Sequence, residues 1–239
     1  MIRSFFVVLI AFYSLSAAAQ PLELQWAKSI GGAANDYTLD QAMDQSGNIY
    51  MTGSFYGVCD FDPGPGVFTL DGGPQSDPFV AKLDPDGNFL WAVSLEGEIG
   101  SFRQSIAIDP SGNVVIAGEF NGTTDFNPGE AVFNLSADDE MDSFILKLDP
   151  EGNFLWANKI GGTDHQLIQA VTIDQDGTIY VAGQFKNEIV FPQSSMNKYA
   201  NGGFDIFYVK ITSEGNFFWA IAVKDANARM RVSDNFIDG

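Results

Sequence analysis

Hydrophobic and polar residues alternate in short runs along this chain, and the runs are joined by acidic turns that contain glycine. In Ile49–Phe55 (IYMTGSF) successive side chains would point to opposite faces, which is the two-residue period of a β-strand. The preceding segment Asp44–Asn48 (DQSGN) begins with Asp and has Gly at its fourth position. This order favours a type I turn closed by a left-handed glycine. The pattern therefore predicts β-hairpins and an all-β fold.

These hairpins recur with a fixed period. The segment Asp77–Ile99 (DPFVAKLDPDGNFLWAVSLEGEI) returns as Asp142–Gly162 and as Asp205–Val223. Two residue types mark the period, with steps of 65, 65 and 63 for the tryptophans and 65 for the glycines: Trp26, Trp91, Trp156 and Trp219, and Gly53, Gly118 and Gly183. A fixed period predicts a repeat architecture, and four antiparallel strands per unit describe the blade of a β-propeller. Because the indoles recur within strands, we expect them to pack between blades rather than to stack on sugars.

The period divides the chain into a β-propeller repeat domain at residues 20–239. Its units lie at about 33–97, 98–162 and 163–225, followed by a truncated fourth unit at 226–239. Leu24–Ile30 has the pattern of a lone last strand. Three complete blades form an incomplete ring with exposed strand edges, so we expect this chain to be a fragment of a longer reading frame. Closure of the ring by dimerisation is the alternative.

Residues 1–19 predict a cleaved signal peptide. Arg3 provides the positive start, Phe5–Tyr13 the short apolar run, and Ser16–Ala19 the small residues before the cut. An uncleaved anchor is the alternative. The apolar run is too short to span a bilayer comfortably, so the prediction is a secreted or cell-surface protein with no membrane insertion after cleavage.

Four motifs together carry a resemblance to a known family. They are WAKSIGG at Trp26–Gly32, the hairpin D-x-x-G-N-I-Y-x-x-G at Asp44–Gly53, DFDPG at Asp60–Gly64, and D-x-F-V-x-K-L-D-x-x-G-N-F-x-W at Asp77–Trp91. In these motifs the chain resembles the SBBP-type family of bacterial β-propeller repeats. The resemblance implies a propeller fold in an exported bacterial protein, often large and multidomain. It implies no common enzyme activity and transfers no catalytic residue.

Composition narrows the range of partners. The chain has 239 residues, 21 Phe, 25 Gly and a formal net charge of −19, so it can form a packed interior but repels nucleic acid and anionic membranes. Cations, neutral sugars and basic protein surfaces remain possible partners, as do further blades of the same chain. The single cysteine, Cys59, can form no intramolecular disulfide and is expected to be a small buried side chain.

Catalytic chemistry has little support in the sequence. His165 is the only histidine, and one histidine with one cysteine cannot build a zinc site. Acidic residues are abundant enough for a glycoside hydrolase or lyase, but they lie in repeated turns, and no pair breaks the repeat. We therefore predict no catalytic residues.

Calcium is the more specific possibility. Each unit is longer than a usual propeller repeat, and the surplus lies between Phe55 and Asp77 around the DFDPG sequence, which we expect to form a loop on the working face. Asp60, Asp62 and Asp125 of this insert are the calcium candidates. The turns with two aspartates are a second set, Asp84 with Asp86 and Asp174 with Asp176. Aspartate as a turn former is the alternative for both sets.

Together these patterns predict an exported, non-catalytic β-propeller repeat protein that serves as a scaffold or recognition surface within a larger protein. No cofactor is expected other than calcium. A carbohydrate- or calcium-dependent binding module and a propeller-type polysaccharide hydrolase or lyase are the alternatives.

Overall fold

A computed structural model describes residues 24–74, 76–95, 99–138, 141–192, 194–197 and 203–223 of the chain. In these ranges the secondary structure is made of strands and turns. The strands are β1 (Gly31–Gly32), β2 (Asp36–Met43), β3 (Ile49–Phe55), β4 (Val58–Asp60), β5 (Thr69–Asp71), β6 (Asp77–Leu83), β7 (Phe89–Ser94), β8 (Ile99–Ile108), β9 (Val114–Phe120), β10 (Thr123–Asp125), β11 (Asn134–Ser136), β12 (Asp142–Leu148), β13 (Phe154–Ile160), β14 (Gln166–Ile173), β15 (Ile179–Phe185), β16 (Glu188–Phe191), β17 (Ser194–Asn197), β18 (Asp205–Ile211) and β19 (Phe217–Val223). A search of these residues finds no helix that could cross a membrane.

Three four-stranded antiparallel sheets form the frame of the molecule, in a propeller-like arrangement. Blade 1 has the order β2-β3-β6-β7, blade 2 β8-β9-β12-β13, and blade 3 β14-β15-β18-β19. The first strands of the three blades lie beside one another, since β8 contacts both β2 and β14. The all-β prediction of four strands per unit is confirmed, and both predicted hairpins of each unit are present.

Five of the six tight hairpin turns in the three blades are closed by aspartate, and the sixth by Thr212. In the first turn of blade 1, Asp44 Oδ1 accepts the backbone N–H groups of Ser46 and Asn48, both at 2.9 Å, and Oδ2 accepts the Asn48 side chain at 2.8 Å. Gly47 has φ of 82°, which a residue with a Cβ adopts only with strain. The D-x-x-G-N sequence therefore encodes the turn chemically as well as by pattern.

The insert folds differently from the expected loop. In each unit it forms a short two-stranded hairpin, β4–β5, β10–β11 and β16–β17. One phenylalanine per insert is fully buried beneath this hairpin, and the three are spaced by 65 residues: Phe61, Phe126 and Phe191. Phe61 contacts Phe55 and Phe79 with ring centroids 5.2 Å and 4.9 Å apart. The insert is a hairpin because its central aromatic side chain gains burial against the blade.

The insert hairpins also hold the chain where it passes from one blade to the next. Gly32 pairs with Cys59 in β4, and Gly161 exchanges two backbone hydrogen bonds with Val190 in β16. A Cβ on Gly32 would lie 2.3 Å from the Val58 carbonyl oxygen, so glycine is required for this close approach.

The repeat glycines serve a comparable purpose within the blades. A bulge in the first strand faces the second strand, and a Cβ on Gly53 would lie 1.9 Å from the Tyr37 carbonyl oxygen. The same Cβ at Gly118 would lie 3.0 Å from the Arg103 carbonyl oxygen, and at Gly183 it would lie 2.4 Å from that of Leu167. A side chain at any of the three would displace backbone atoms.

Three segments differ from the predicted organisation or lie outside the described residues. Leu24–Ile30 forms no strand, because no described strand lies beside it to share a hydrogen-bond ladder. Ile30 nevertheless joins the cluster of Phe55 and Phe61 in blade 1, and the Trp26 ring lies next to Gly87 of the same blade. The predicted signal peptide at 1–19 and the truncated unit at 226–239 lie outside the described residues.

Candidate functional site

The aspartates of the two-aspartate turns use their oxygens within the turns. Asp84 Oδ1 accepts the N–H groups of Asp86 and Asn88 at 2.9 and 2.8 Å, and Oδ2 accepts the Asn88 amide at 2.9 Å. These hydrogen bonds, first those from Asn88, lower the pKa of Asp84. Asp174 bonds in the same way to the backbone of Asp176 and Thr178. The geometry is that of turn formation, the alternative stated for this set.

The calcium candidates of the insert also accept backbone hydrogen bonds. Asp60 Oδ1 accepts the N–H groups of Asp62 and Phe68 at 3.1 and 2.9 Å, and Asp62 Oδ1 accepts that of Gly64 at 2.7 Å. Asp125 Oδ1 has the role of Asp60 in the second insert, so these candidates belong to two separate hairpins. In the described part of the chain, no three His, Cys, Asp or Glu side chains converge as a metal site would require. Calcium binding at Asp60, Asp62 and Asp125 stays a prediction.

The repeated tryptophans join each blade to the next unit. Trp91 in β7 of blade 1 donates its indole N–H to the carbonyl oxygen of Pro150 in blade 2 at 3.0 Å, and Trp156 in blade 2 donates to Ser213 in blade 3 at 3.1 Å. Trp26 makes the corresponding bond to Pro85 in blade 1 at 3.1 Å. Trp26, Trp91 and Trp156 thus connect consecutive units through specific hydrogen bonds, and Trp91 and Trp156 are also partly buried against the blade cores.

A polar cleft opens between blades 2 and 3 at their turn ends. It has a volume of about 350 Å³. Its lining comes from two turns of blade 3 and from blade 2: Asp109, Pro110, Ser111, Asn113, Lys147, Gln175, Asp176, Gly177, Ser213 and Glu214. The repeat departs from its pattern at this interface, and the cleft is our candidate functional site.

The cleft exists where one aromatic side chain of the repeat is replaced. Between blades 1 and 2 the fully buried Tyr50 donates its hydroxyl to Asp44 at 3.2 Å, and its ring lies 4.9 Å from the Lys82 ammonium. Between blades 2 and 3 the equivalent residue is Val115, which lacks the phenol. Val115 is fully buried and does not line the cleft itself, but Asp109 and Lys147 do, and they are the counterparts of the Asp44 and Lys82 that contact Tyr50.

A buried ion pair lies in the wall of the cleft. Lys147 Nζ is 2.9 Å from Asp109 Oδ2, with the two side chains 4% and 5% exposed, and it also donates to the Ser213 carbonyl oxygen at 3.1 Å. Burial opposes ionisation of Asp109, but hydrogen bonds from Asn113 and Lys147 outweigh it and lower the pKa of this carboxyl. An ammonium group has three donors, and two are used by protein acceptors here. The third N–H of Lys147 has no acceptor among the described residues, and the side chain, which is 4% exposed, reaches the cleft only at its wall.

The rim of the cleft is acidic. Glu214 Oε1 accepts the Ser213 hydroxyl at 2.5 Å, and this hydrogen bond lowers the pKa of Glu214. Asp176 adds a second carboxylate. His165 lies elsewhere, in the connection between blades 2 and 3, with Nε2 3.9 Å from Asp164 Oδ1. The cleft can offer hydrogen bonds to a polar ligand, and its lining includes neither histidine nor cysteine.

Sequence reasoning did not identify this cleft. The signal was present as the series Tyr50, Val115 and Tyr180, in which only the middle unit departs from tyrosine. It becomes meaningful only when the partner blade is known.

Comparison with known proteins agrees with the repeat architecture. No family model matches the chain. It is 26% identical over 194 residues to an uncharacterized WD repeat-containing protein of Acanthamoeba polyphaga mimivirus, a match covering 71% of this chain and 14% of that protein. It is 25% identical over 173 residues to the regulatory protein FlaEY of Caulobacter vibrioides, covering 71% of this chain and 17% of that protein.

The chain thus spans less than a fifth of the length of these relatives. Neither name denotes an enzyme. The matches indicate a propeller-type repeat, as the blades do, while the narrower SBBP assignment stays a prediction. The chain is therefore similar to a WD repeat-containing protein and to a regulatory protein, which suggests a propeller-type repeat.

Proposed function

We propose that this chain is the repeat scaffold of an exported, larger cell-surface or secreted protein, and that it binds a ligand without transforming it. The observation that carries the proposal is the polar cleft between blades 2 and 3, which occurs where the repeat is broken. If Val115 served only to maintain the repeat, the tyrosine of the other two units would suit this position equally well. A rigid stack of blades with a polar cleft between two of them suits recognition.

The ligand that suits the cleft is neutral and rich in hydroxyl groups, such as an oligosaccharide. Hydroxyls can donate to the carboxylates of Asp176 and Glu214 and accept the remaining N–H of Lys147. The net charge of −19 opposes anionic ligands. A cleft of about 350 Å³ is at the small end of the range of ligand pockets, which favours one or two sugar units.

The hydrolase alternative receives no support from the cleft. A glycosidase needs a carboxyl whose pKa is raised so that it can act as a general acid. In the cleft, Asp109 and Glu214 both have lowered pKa values, because each accepts stabilising hydrogen bonds. Both are therefore ionised at neutral pH and would donate no proton.

An oligosaccharide array with purified residues 20–239 tests the proposal, with and without a calcium chelator. We expect saturable binding without product release. Val115→Tyr, which restores the tyrosine of the other units, should fill the cleft and reduce binding at least tenfold. Glu214→Gln should weaken binding, whereas Glu151→Gln, the same turn position outside the cleft, should not.

Several results would contradict this proposal. Unchanged binding by Val115→Tyr would place the ligand elsewhere, and product release would indicate an enzyme. Binding lost with the chelator, and lost in Asp60→Asn, would favour the calcium-dependent module. Export is tested separately, by N-terminal sequencing of the full chain after expression with an intact secretion system. We expect the mature protein to begin at Gln20.

A further inference from the structure

Blades 1 and 2 each bind the following blade through two donors that converge on a single carbonyl oxygen. Lys82 Nζ and Trp91 Nε1 both donate to the Pro150 carbonyl oxygen, at 3.1 and 3.0 Å. One unit later, Lys147 and Trp156 both donate to the Ser213 carbonyl oxygen, each at 3.1 Å. Lysine and tryptophan are direct cross-strand partners in both blades. We call this pair of donors the Lys–Trp clamp.

The clamp requires a glycine in the turn that it holds. A Cβ on Gly152 would lie 3.2 Å from the Trp91 ring, and one on Gly215 would lie 2.9 Å from the Trp156 ring. Both glycines have positive φ, 87° and 88°. The occupant of a clamp is therefore a β-turn with a free carbonyl at its second residue and a left-handed glycine at its fourth.

Blade 3 carries the same clamp, and no described residue occupies it. Lys210 and Trp219 are direct partners across β18 and β19. In the described part of the chain neither donates to a carbonyl oxygen. The Lys210 ammonium instead lies over the rings of Tyr180 and Phe218, at 5.6 and 5.2 Å from their centroids.

The sheet face around this clamp is open. Ile206 and Tyr208 in β18 are 42% and 47% exposed. Their counterparts in blade 2, Ser143 and Ile145, are 0% exposed, because blade 3 covers them. Exposed apolar side chains at positions that are buried in the other blade mark a surface that packs against another element.

We propose that this face of blade 3 docks a further unit of the same repeat, supplied by the same chain after Val223, and that Lys210 and Trp219 hold the carbonyl of its second hairpin turn. The interface continues the ones already formed between blades 1 and 2 and between blades 2 and 3. A unit takes about 65 residues, whereas 239 − 223 = 16 follow Val223, so such a unit extends past Gly239. The inference rests on the repeat geometry and does not depend on the proposed ligand cleft.

A second copy of this chain is the less suitable occupant. The described residues contain three second-hairpin turns, and the second residue of each already accepts an indole N–H through its carbonyl oxygen. Pro150 and Ser213 are held by the clamps, and Pro85 accepts Trp26, whose ring covers Gly87. A second copy would therefore offer no vacant second-hairpin turn unless Trp26 withdrew from Pro85. Its first-hairpin turns lie against the second-hairpin turns, with Gly47 next to Pro85 and Gly112 next to Pro150.

The test compares residues 20–239 with an extended chain in which a copy of residues 161–223 follows Val223. In the extended chain, Trp219→Phe should lower the melting temperature by about 3 °C, and Lys210→Ala by a similar amount. In residues 20–239 neither substitution should shift it by more than about 1 °C. Trp156→Phe, in an occupied clamp, is the matched control and should lower it in both chains. Tryptophan fluorescence should also shift to shorter wavelength on extension, and Trp219→Phe should reduce this shift.

A second extended chain carries a copy of residues 96–160 after Val223, so that the result does not depend on a single junction. If neither extended chain folds, or if Trp219→Phe has no effect in either while Trp156→Phe does, the face does not accept a repeat unit and the proposal is wrong. A dimer of residues 20–239 in analytical ultracentrifugation that Trp219→Phe abolishes would identify a second copy as the occupant and would also overturn it.

Discussion

The two blade interfaces are built from the same repeat, yet they solve the same packing problem differently. Between blades 1 and 2, Tyr50 fills the turn end and its hydroxyl bonds to Asp44. Between blades 2 and 3, Val115 lacks the phenol, and Lys147 forms an ion pair with Asp109 instead. The clamps that join the blades are nevertheless the same at both interfaces. Adhesion between blades is thus separate from the chemistry at their turn ends, which can diverge without loss of the architecture.

Replacing the buried lysines should reveal the largest difference in stability between the two interfaces. Lys147→Met removes the ammonium partner of a buried carboxylate and should destabilise the chain by about 3 to 5 kcal/mol. Lys82→Met should cost only about 1 kcal/mol, because Lys82 donates to Pro150 and forms no ion pair with any described residue. Urea unfolding followed by circular dichroism measures both. Equal costs would show that the Asp109 pair adds nothing to the interface.

Opening the first interface should have the next largest effect. Tyr50→Val copies the residue of the second interface and should cost about 2 to 3 kcal/mol, since it leaves a cavity between packed blades. Tyr50→Phe, which removes only the bond to Asp44, should cost about 1 kcal/mol. Thermal unfolding of both variants gives the comparison. A Tyr50→Val protein as stable as the wild type would mean that the blades close over the space.

The smallest expected difference between the interfaces is in how their stability depends on pH. Glu119 is 2% exposed at the second interface and its Oε1 has no hydrogen-bond partner among the described residues, whereas the first interface has Ser54 at this position. Burial raises the pKa of Glu119 from 4.5 to about 7, although the charge of Arg103 partly opposes the shift. The folded chain therefore holds a proton that the unfolded chain has released, and its stability falls as pH rises from 4.5 through 7.

We expect a loss of about 2 kcal/mol between pH 5 and pH 8, relative to Glu119→Gln measured in parallel. Ser54→Ala should leave the pH dependence unchanged. Denaturant unfolding at five pH values measures the slope. If wild type and Glu119→Gln change in parallel, Glu119 is not the group that titrates.

The strands and hairpins were predictable from sequence because their causes are local. A two-residue period sets each strand, and Asp44 with Gly47 sets its turn. The spacing of 65 residues then places equivalent strands in equivalent blades. The insert was predicted only as a loop, although Phe61 and its two counterparts share the same spacing and could have indicated a packed hairpin.

The interfaces were beyond sequence reasoning because they depend on which residues of one unit meet which residues of the next. Lys82 and Trp91 are nine positions apart and neither is unusual in a strand. Their common acceptor, Pro150, is 59 residues beyond Trp91. Val115 is likewise an ordinary strand residue until blade 3 is placed beside it. Leu24–Ile30 has a strand's sequence but no strand's pairing, since pairing requires a neighbour.

The polarity of the clamps has a consequence for how this protein is made. Each indole precedes its acceptor in the chain, by 59 residues for Trp91 and 57 for Trp156. When the chain emerges from its N-terminus, roughly one more unit must therefore follow a blade before its lysine and tryptophan can bind their acceptor. Wherever the chain folds from its N-terminus, each interface therefore closes one unit late, and the most recently folded blade exposes an unoccupied pair of donors.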